Sequence, residues 1–465
     1  MSHIACDIKK CGLLRRTLYS SMTAILLLLT SCEKEKATAS EYERLIDRAS
    51  EVWHFQGSYL VARGDSILAR GSRGYADISA QRANQSETRF LIGSMTKPFT
   101  AIAVLQLVER GLVDLSETID SYIDDYPAEK AKGISVHYLL CHRSGIPDVV
   151  QNREYAGRMS DSIGPHEIVE YFADKPLEFE PGSRYAYSSS NYVLLGLIIE
   201  SRSGLTWEEY IKQHICMPAG MMNTGVFYDY PDRQDFAKGY TLDRSGSLTR
   251  TPAVNPSIGY AAGALASNVD DLFLLNLVLY DTTLLDRFSL DMMLTEHSRK
   301  YGYGWIVDDF GGHTLTAHGG GVPGYVSILQ RWTDDSVCVI VLSNNVAVQP
   351  HAIANSLAAI ALDEPYEMPQ NKVPVAIDSA LLLEYEGDYD LGSGEIRRIQ
   401  VRDGRLMVQT GIGFPRPVLP EGQDRFFFAH DPTTTLTFLR NSEGDVIGLV
   451  MSQAFDQDTT WKSNY

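Results

Sequence analysis

The sequence predicts an α+β unit whose sheet draws strands from both ends of one long segment, followed by a small all-β domain, barrel or sandwich. Two observations carry this. Strand-like runs at residues 58–69 and 305–342 bracket a mixed, largely helical block at about 94–290, the pattern of an α+β layer architecture. From about Leu381, short apolar segments alternate with turns such as Asp403-Gly404 and Glu443-Gly444. A chain of 465 residues is too long for one typical domain, so two units are the natural division.

The elements follow in order. Lys9, Lys10, Arg15 and Arg16 precede the apolar run Ile25-Leu26-Leu27-Leu28-Leu29, which is too short to span a bilayer. Leu29-Thr30-Ser31-Cys32 comes next and resembles the lipobox of bacterial lipoproteins. That resemblance implies that residues 1–32 are a signal peptide ending in a lipidated Cys32, with 33–44 as a polar tether. It implies the bacterial cell envelope, facing the periplasm or the exterior, with membrane contact only through the anchor. A plain signal peptide with an incidental cysteine is the alternative.

A helix is predicted from about Glu41 to Val52. Residues 58–62 and 66–69 flank Arg63-Gly64-Asp65, which spells an adhesion tripeptide but reads as a hairpin turn. After Phe90-Leu91-Ile92-Gly93, the residues Ala101, Val104, Leu105 and Val108 form an apolar helix stripe, stopped at Arg110-Gly111. A second helix runs from about Val193 to Gly204. Ser327-Ile328-Leu329-Gln330 and residues 337–342 flank a turn at Asp334-Asp335, and a helix from about His351 to Leu362 follows. Three prolines between Pro365 and Pro374 mark a linker. The predicted division is 45–364 for the first domain, 365–378 for the linker and 379–465 for the all-β domain.

Composition excludes some functions. A net charge of −18 argues against nucleic acid, because phosphate binding needs clustered Lys and Arg. No metal-ligand cysteine pair or Gly-rich phosphate loop occurs. Cys6, Cys11 and Cys32 belong to the leader, and the scattered Cys141, Cys216 and Cys338 make no disulfide framework.

Three segments carry candidate chemistry. Ser94-Met95-Thr96-Lys97 places a hydroxyl and an amine three residues apart, on one face of a helix start. Such a pair can make a serine nucleophilic, and the helix N-terminus favours a developing oxyanion. The segment also reads as an ordinary N-capping serine with a solvated lysine. A second Ser-x-x-Lys, Ser31 to Lys34, lies in the leader and cannot be a site. Tyr187 sits in a hydroxyl-rich loop entering a helix; with Lys97 nearby, the cation would favour phenolate and lower the tyrosine pKa. Alone, it reads as a surface tyrosine. His318-Gly319-Gly320-Gly321 ends a strand in a glycine-rich bend, where a backbone N–H can reach a substrate oxygen and His318 can bind or polarise it. That bend also reads as a structural turn with a solvated histidine.

Together the chain resembles the serine β-lactamase-like hydrolases, the relatives of class C β-lactamases, DD-peptidases and type VIII esterases. The resemblance covers about residues 45–362 and rests on ordered stretches: Gly93 to Thr100, Leu139 to Pro147, Pro181-Gly182 to Tyr187, Asn191 to Gly196, Tyr301 to Trp305, and His318 to Tyr325. It implies an antiparallel sheet flanked by helices plus a helical subdomain. It implies Ser94 as the acylated nucleophile, Lys97 as the residue that helps deprotonate it, and Tyr187 as a partner in base duty that protonates the leaving group. The acyl-transfer chemistry so implied needs neither a metal nor an organic cofactor. The N–H groups of Ser94 and Gly321 would form the oxyanion hole, with His318, Gly319 and Gly320 where many members have Lys-Thr-Gly. His142 falls where the family's histidine is structural. The C-terminal region is similar to lipocalin-like β domains.

Two departures bear on substrate. Ser189 stands where the family often has the Asn of Tyr-x-Asn, and His318 replaces a fixed cation and is only partly charged near neutrality. Both point away from an efficient β-lactamase and toward an esterase, or a peptidase with a differently charged substrate. The expectation is therefore an envelope serine hydrolase acting on a small ester or peptide substrate through an acyl-enzyme. A DD-peptidase or weak β-lactamase is one alternative, and a non-catalytic envelope ligand binder is another.

Overall fold

The computed structural model describes residues 39–124, 126–243, 246–391, 395–411, 415–429 and 431–463. The leader, Cys32 and residues 33–38 of the expected tether lie outside the described residues.

Helix α1 (Ala39–Trp53) buries Tyr42, Leu45, Ile46 and Ala49, a helical spacing that lays one stripe on the core. It starts ahead of Glu41, so residues 39–44 of the expected tether are already helical. Strands β1 (Gly57–Arg63) and β2 (Ser66–Arg73) then form the expected hairpin. The Arg63 guanidinium donates to the Ala361 carbonyl, and Arg63-Gly64-Asp65 closes the hairpin between the two strands.

The helical block contains α2 (Thr96–Glu109), α3 (Ser189–Ser203), α4 (Tyr260–Gly263) and α5 (Val269–Val278). Gly204 caps α3 in the left-handed conformation at φ 72°. Where a single apolar stripe was expected on α2, every residue from Thr96 to Leu107 is buried. The helix runs through the middle of the block, against α3 and α4, so all its faces meet protein. Its polar side chains are satisfied internally: Thr100 donates to the Ala261 carbonyl at 2.7 Å and Gln106 to the Leu284 carbonyl at 2.9 Å.

The chain then returns through β3 (Ile306–Phe310), β4 (His313–Val322), β5 (Tyr325–Trp332) and β6 (Val337–Ser343), and ends the unit with α6 (Pro350–Leu362). The sheet order is β2-β1-β6-β5-β4-β3, antiparallel throughout. β1 pairs with β6, Gly57 opposite Ser343, so the sheet is built from both ends of the segment as predicted. All seven residues of β6 are buried, because α5 and α6 pack against it. Cys141, Cys216 and Cys338 are free and buried, and loss of hydration pushes each thiol up to about 12.

The C-terminal strands are β7 (Gly387–Asp390), β8 (Ile396–Arg402), β9 (Arg405–Thr410), β10 (Arg416–Pro420), β11 (Arg425–Phe428), β12 (Thr434–Arg440), β13 (Val446–Gln453) and β14 (Asp456–Lys462). β14 pairs back onto β7, Lys462 opposite Tyr389, so the domain is a closed barrel rather than a sandwich. Closure leaves no free edge. Tyr389, Ile399, Leu406, Phe426, Leu436 and Phe438 belong to its core.

The barrel is seated by Phe455, in the turn between β13 and β14. Its ring meets those of Phe310, His313 and Trp332 at centroid distances of 5.2, 5.9 and 5.4 Å. The connecting segment has no regular structure but is fastened: Tyr366 donates to Glu41 at 2.6 Å, and the Val375 N–H to the Pro420 carbonyl at 2.9 Å. Among the described residues no helix is long and apolar enough to cross a membrane.

Candidate active site

The turn Gly93–Met95 feeds directly into α2 and carries Ser94. Gly93 has φ 52°, and a Cβ there would stand 2.8 Å from the Gly321 nitrogen. Only glycine lets this turn press against β4. A Cβ on Gly320 would collide with the Ile92 carbonyl, and Ser327 on β5 donates to that same carbonyl at 3.0 Å. The turn is thus clamped on the sheet with Gly321 beside it. Ser94 is partly exposed, and its hydroxyl caps no helix, so the N-capping alternative falls away.

Lys97 sits one turn further and is 0 % exposed, so the solvated-lysine alternative falls as well. Its Nζ donates to Ser94 Oγ at 3.1 Å and to the Ala262 carbonyl at 3.0 Å, and reaches Ser189 Oγ at 3.5 Å. No carboxylate among the described residues pairs with it directly. Loss of hydration therefore pulls the amine down to about 7, against the opposing field of Asp148. Near neutrality a large share of these amines is uncharged and able to accept a proton.

Tyr187, just before α3, lines the crevice with Ser94, close enough for their hydroxyls to interact, and its ring centroid lies 5.0 Å from Lys97 Nζ. The hydroxyl, the amine and the phenol therefore converge. The expected lowering of the tyrosine by the lysine does not occur. Burial pushes Tyr187 up, and the interaction with Ser94 offsets only part of that. The phenol stays protonated, so of the two groups beside Ser94 only the amine is able to accept a proton near neutral pH.

His318 also departs from expectation. It is buried at 4 % exposure, and both ring nitrogens are engaged. Nδ1 lies 2.7 Å from the Gly319 carbonyl, so it carries the proton, and Nε2 accepts from the Tyr301 hydroxyl at 3.0 Å. Burial, then the Lys97 charge, hold it down to about 3. A partly charged, substrate-facing histidine is thus replaced by a neutral ring in the crevice wall. Gly319 is backed by His351, whose Nε2 would stand 3.0 Å from an added Cβ.

Ser189 lies at the site, but its hydroxyl turns to Lys97 rather than to the crevice lining. Asn191 is buried and bonded to Ser144 at 2.6 Å and His142 at 3.2 Å, so it does not replace the missing amide. His142 is buried and neutral. Its Nδ1 accepts from the Ser188 N–H at 3.2 Å, and its ring lies 4.3 Å from that of Tyr187.

Two residues of the site were not singled out from sequence. Tyr301 bridges His318 and the Tyr187–His142 ring cluster. Asp148 accepts from the Ser189 N–H at 3.0 Å. Each adjoins or lies in a stretch that carried the resemblance, and that was the only signal available. The crevice over Ser94 holds about 430 Å³, with Tyr185, Tyr301, Ile306, His318, Val348 and His351 among its walls.

Known proteins resemble this chain in sequence and in fold. A family model described as Beta-lactamase matches residues 43–363. "Penicillin-binding protein 4*" of Bacillus subtilis is 29% identical over 411 residues, covering 83% of this chain and 90% of that protein. "Esterase EstB" of Burkholderia gladioli is 30% identical over 229 residues, covering 46% of this chain and 58% of the esterase. Among solved structures, the octameric penicillin-binding protein homologue from Pyrococcus abyssi superposes with a TM-score of 0.65 at 26% identity, covering 91% of this chain and 98% of that one.

Proposed function

The chain belongs to the Beta-lactamase family and is a serine hydrolase, and on that premise we propose that it is an esterase-like enzyme of the cell envelope working through an acyl-enzyme. Ser94 Oγ attacks the acyl carbon, and its proton passes to the Lys97 amine 3.1 Å away. Backbone N–H groups of Ser94 and Gly321 take the charge that gathers on the carbonyl oxygen. As the bond to the leaving group breaks, Tyr187, beside Ser94 and with its ring against Lys97, gives its proton to the departing oxygen and regains one from the Lys97 ammonium. Water then adds to the acyl carbon by the same route in reverse, and Ser94 regains its proton.

One observation carries the preference for esters. No Lys, Arg, Asp or Glu among the described residues lines the crevice. His318 and His351 are both held below the usual histidine range by loss of hydration. A substrate carboxylate, as on a penicillin or a D-alanyl peptide, finds no fixed cation there, and a free ammonium finds no fixed anion. An uncharged acyl ester leaves nothing unpaired. The likeness to an esterase supports the same reading.

A fluorophosphonate probe, followed by peptide mapping, labels Ser94 in this scheme, and short-chain p-nitrophenyl esters turn over. Stable acylation by a penicillin reporter with no ester turnover would instead favour the penicillin-binding alternative. Turnover unchanged in Ser94→Ala would leave the non-catalytic binder as the better account. The envelope address rests on Leu29-Thr30-Ser31-Cys32. Metabolic labelling with an alkyne fatty acid is expected on the native chain and lost in Cys32→Ala.

A further inference from the structure

Asp148 is the buttress of the helix start that faces Lys97. Its Oδ1 accepts from the Ser189 N–H at 3.0 Å and from the Val150 N–H at 3.3 Å. The same junction is laced again one residue along. Ser190 Oγ donates to the Pro147 carbonyl at 2.7 Å and accepts from the Val149 N–H at 2.9 Å. Ser189, held by its amide, turns its hydroxyl to Lys97 Nζ at 3.5 Å. Tyr187 lies two residues upstream on the same stretch. One carboxylate therefore anchors the backbone that brings both groups to the amine.

The charges around that amine are few. From the α3 segment Tyr187 and Tyr192 present rings at 5.0 and 5.5 Å, and burial keeps both phenols protonated. His142 from the preceding loop and His318 from β4 are both neutral. α4 contributes the Ala262 carbonyl. Asp148 is the one ion acting on Lys97 among the described residues, and it acts without a direct ion pair. Asp148 also lines a cleft of about 220 Å³ shared with Tyr171, Phe172 and Lys175.

We propose that Asp148 is a positioning residue for the Ser94–Lys97 pair: its carboxylate pins the first turn of α3 against Lys97 and supplies the anionic field on the amine. This rests on the acyl-enzyme reading given above. A dehydrated ammonium is favoured by an opposite charge nearby. With that charge removed, the amine sheds its proton at lower pH, while an amide oxygen at the same place still accepts both backbone N–H groups.

The test follows the rate of fluorophosphonate labelling of Ser94 from about pH 5 to about pH 9 in wild-type, Asp148→Asn and Asp148→Glu protein. The acid limb of the Asp148→Asn profile is expected to move down by about half to one pH unit, less than for a contact ion pair. Asp148→Glu is expected to keep the wild-type limb. Superimposed wild-type and Asp148→Asn profiles would overturn the inference. So would a uniform loss of rate with the limb unmoved, the result for a carboxylate that only braces the backbone. Wild-type protein that takes no label at Ser94 would overturn the acyl-enzyme reading itself, and this inference with it.

Discussion

Lys97 in the hydrolase unit and Arg397 in the barrel are equally hidden, at 0 % and 1 % exposure, and the molecule treats them in opposite ways. Arg397 is gripped by both oxygens of Asp458, at 2.6 and 2.8 Å. That fork-to-fork pairing returns much of what the guanidinium loses on leaving water. Lys97 has only two hydroxyls and a carbonyl in contact, and its nearest influential carboxylate acts at a distance. The barrel spends its buried charge on holding strands β8 and β14 in place. The catalytic unit leaves its buried charge poorly compensated, so that the amine gives up its proton near neutrality. The same burial yields structure where a counter-ion is present and an easily lost proton where it is withheld.

The contrast is easy to break. The largest effect is expected from Lys97→Met, which should lower kcat/KM by at least about 10³-fold, since it removes the base outright. The same substitution should raise the melting temperature. Lys97 titrates at about 7 in the fold and near its ordinary 10.5 when unfolded. Between those values the unfolded chain binds the extra proton, so wild-type stability rises with pH across that window. The stability gap between variant and wild type is therefore widest below about 7 and narrows toward 10.5. Equal melting temperatures at low pH would mean that the lysine is not under strain. In wild-type protein the ester rate should climb through the same value of about 7 and level off above it.

Asp458→Ala is the mirror experiment. It strands the Arg397 guanidinium and should cost about 2 kcal/mol in denaturant unfolding, below the 3–5 typical of a fully buried pair because Asp458 is itself 38% exposed. Ester turnover below the melting range should stay within about 2-fold. Pairing it with Arg397→Met should recover most of the loss. The smallest effect is expected from Phe455→Ala, at about 1–2 kcal/mol, because that ring is only partly buried. Hydrogen exchange should then quicken in the turn between β13 and β14 and in the facing β3–β4 hairpin, with the helical block unchanged.

Much of the fold was legible because its signals are local. The turns at Arg63-Gly64-Asp65 and Asp334-Asp335, and the Gly204 helix stop, each need only a few adjacent residues to specify them. The pairing of β1 with β6 followed from two strand groups around a helical block. The misreadings, and the omission of Asp148, share one cause. The all-round burial of α2, the protonated state of Tyr187, the neutrality of His318 and the part played by Asp148 depend on what arrives from distant segments. His318 shows this best. A histidine after a strand reads as half-charged until Tyr301 and the Gly319 carbonyl take both its nitrogens and the fold removes its water.

By itself the sequence settled which groups could react and how neighbours along the chain are spaced: a hydroxyl and an amine one helical turn apart, a glycine-rich bend ending a strand, and a second unit built mainly of strands. Only the tertiary structure decided which of these groups carries a proton. Spacing along a helix is a property of bond geometry and survives in any surroundings. A proton's affinity is set by hydration and by charges that other segments bring or withhold, and those exist only once the chain has closed around the site.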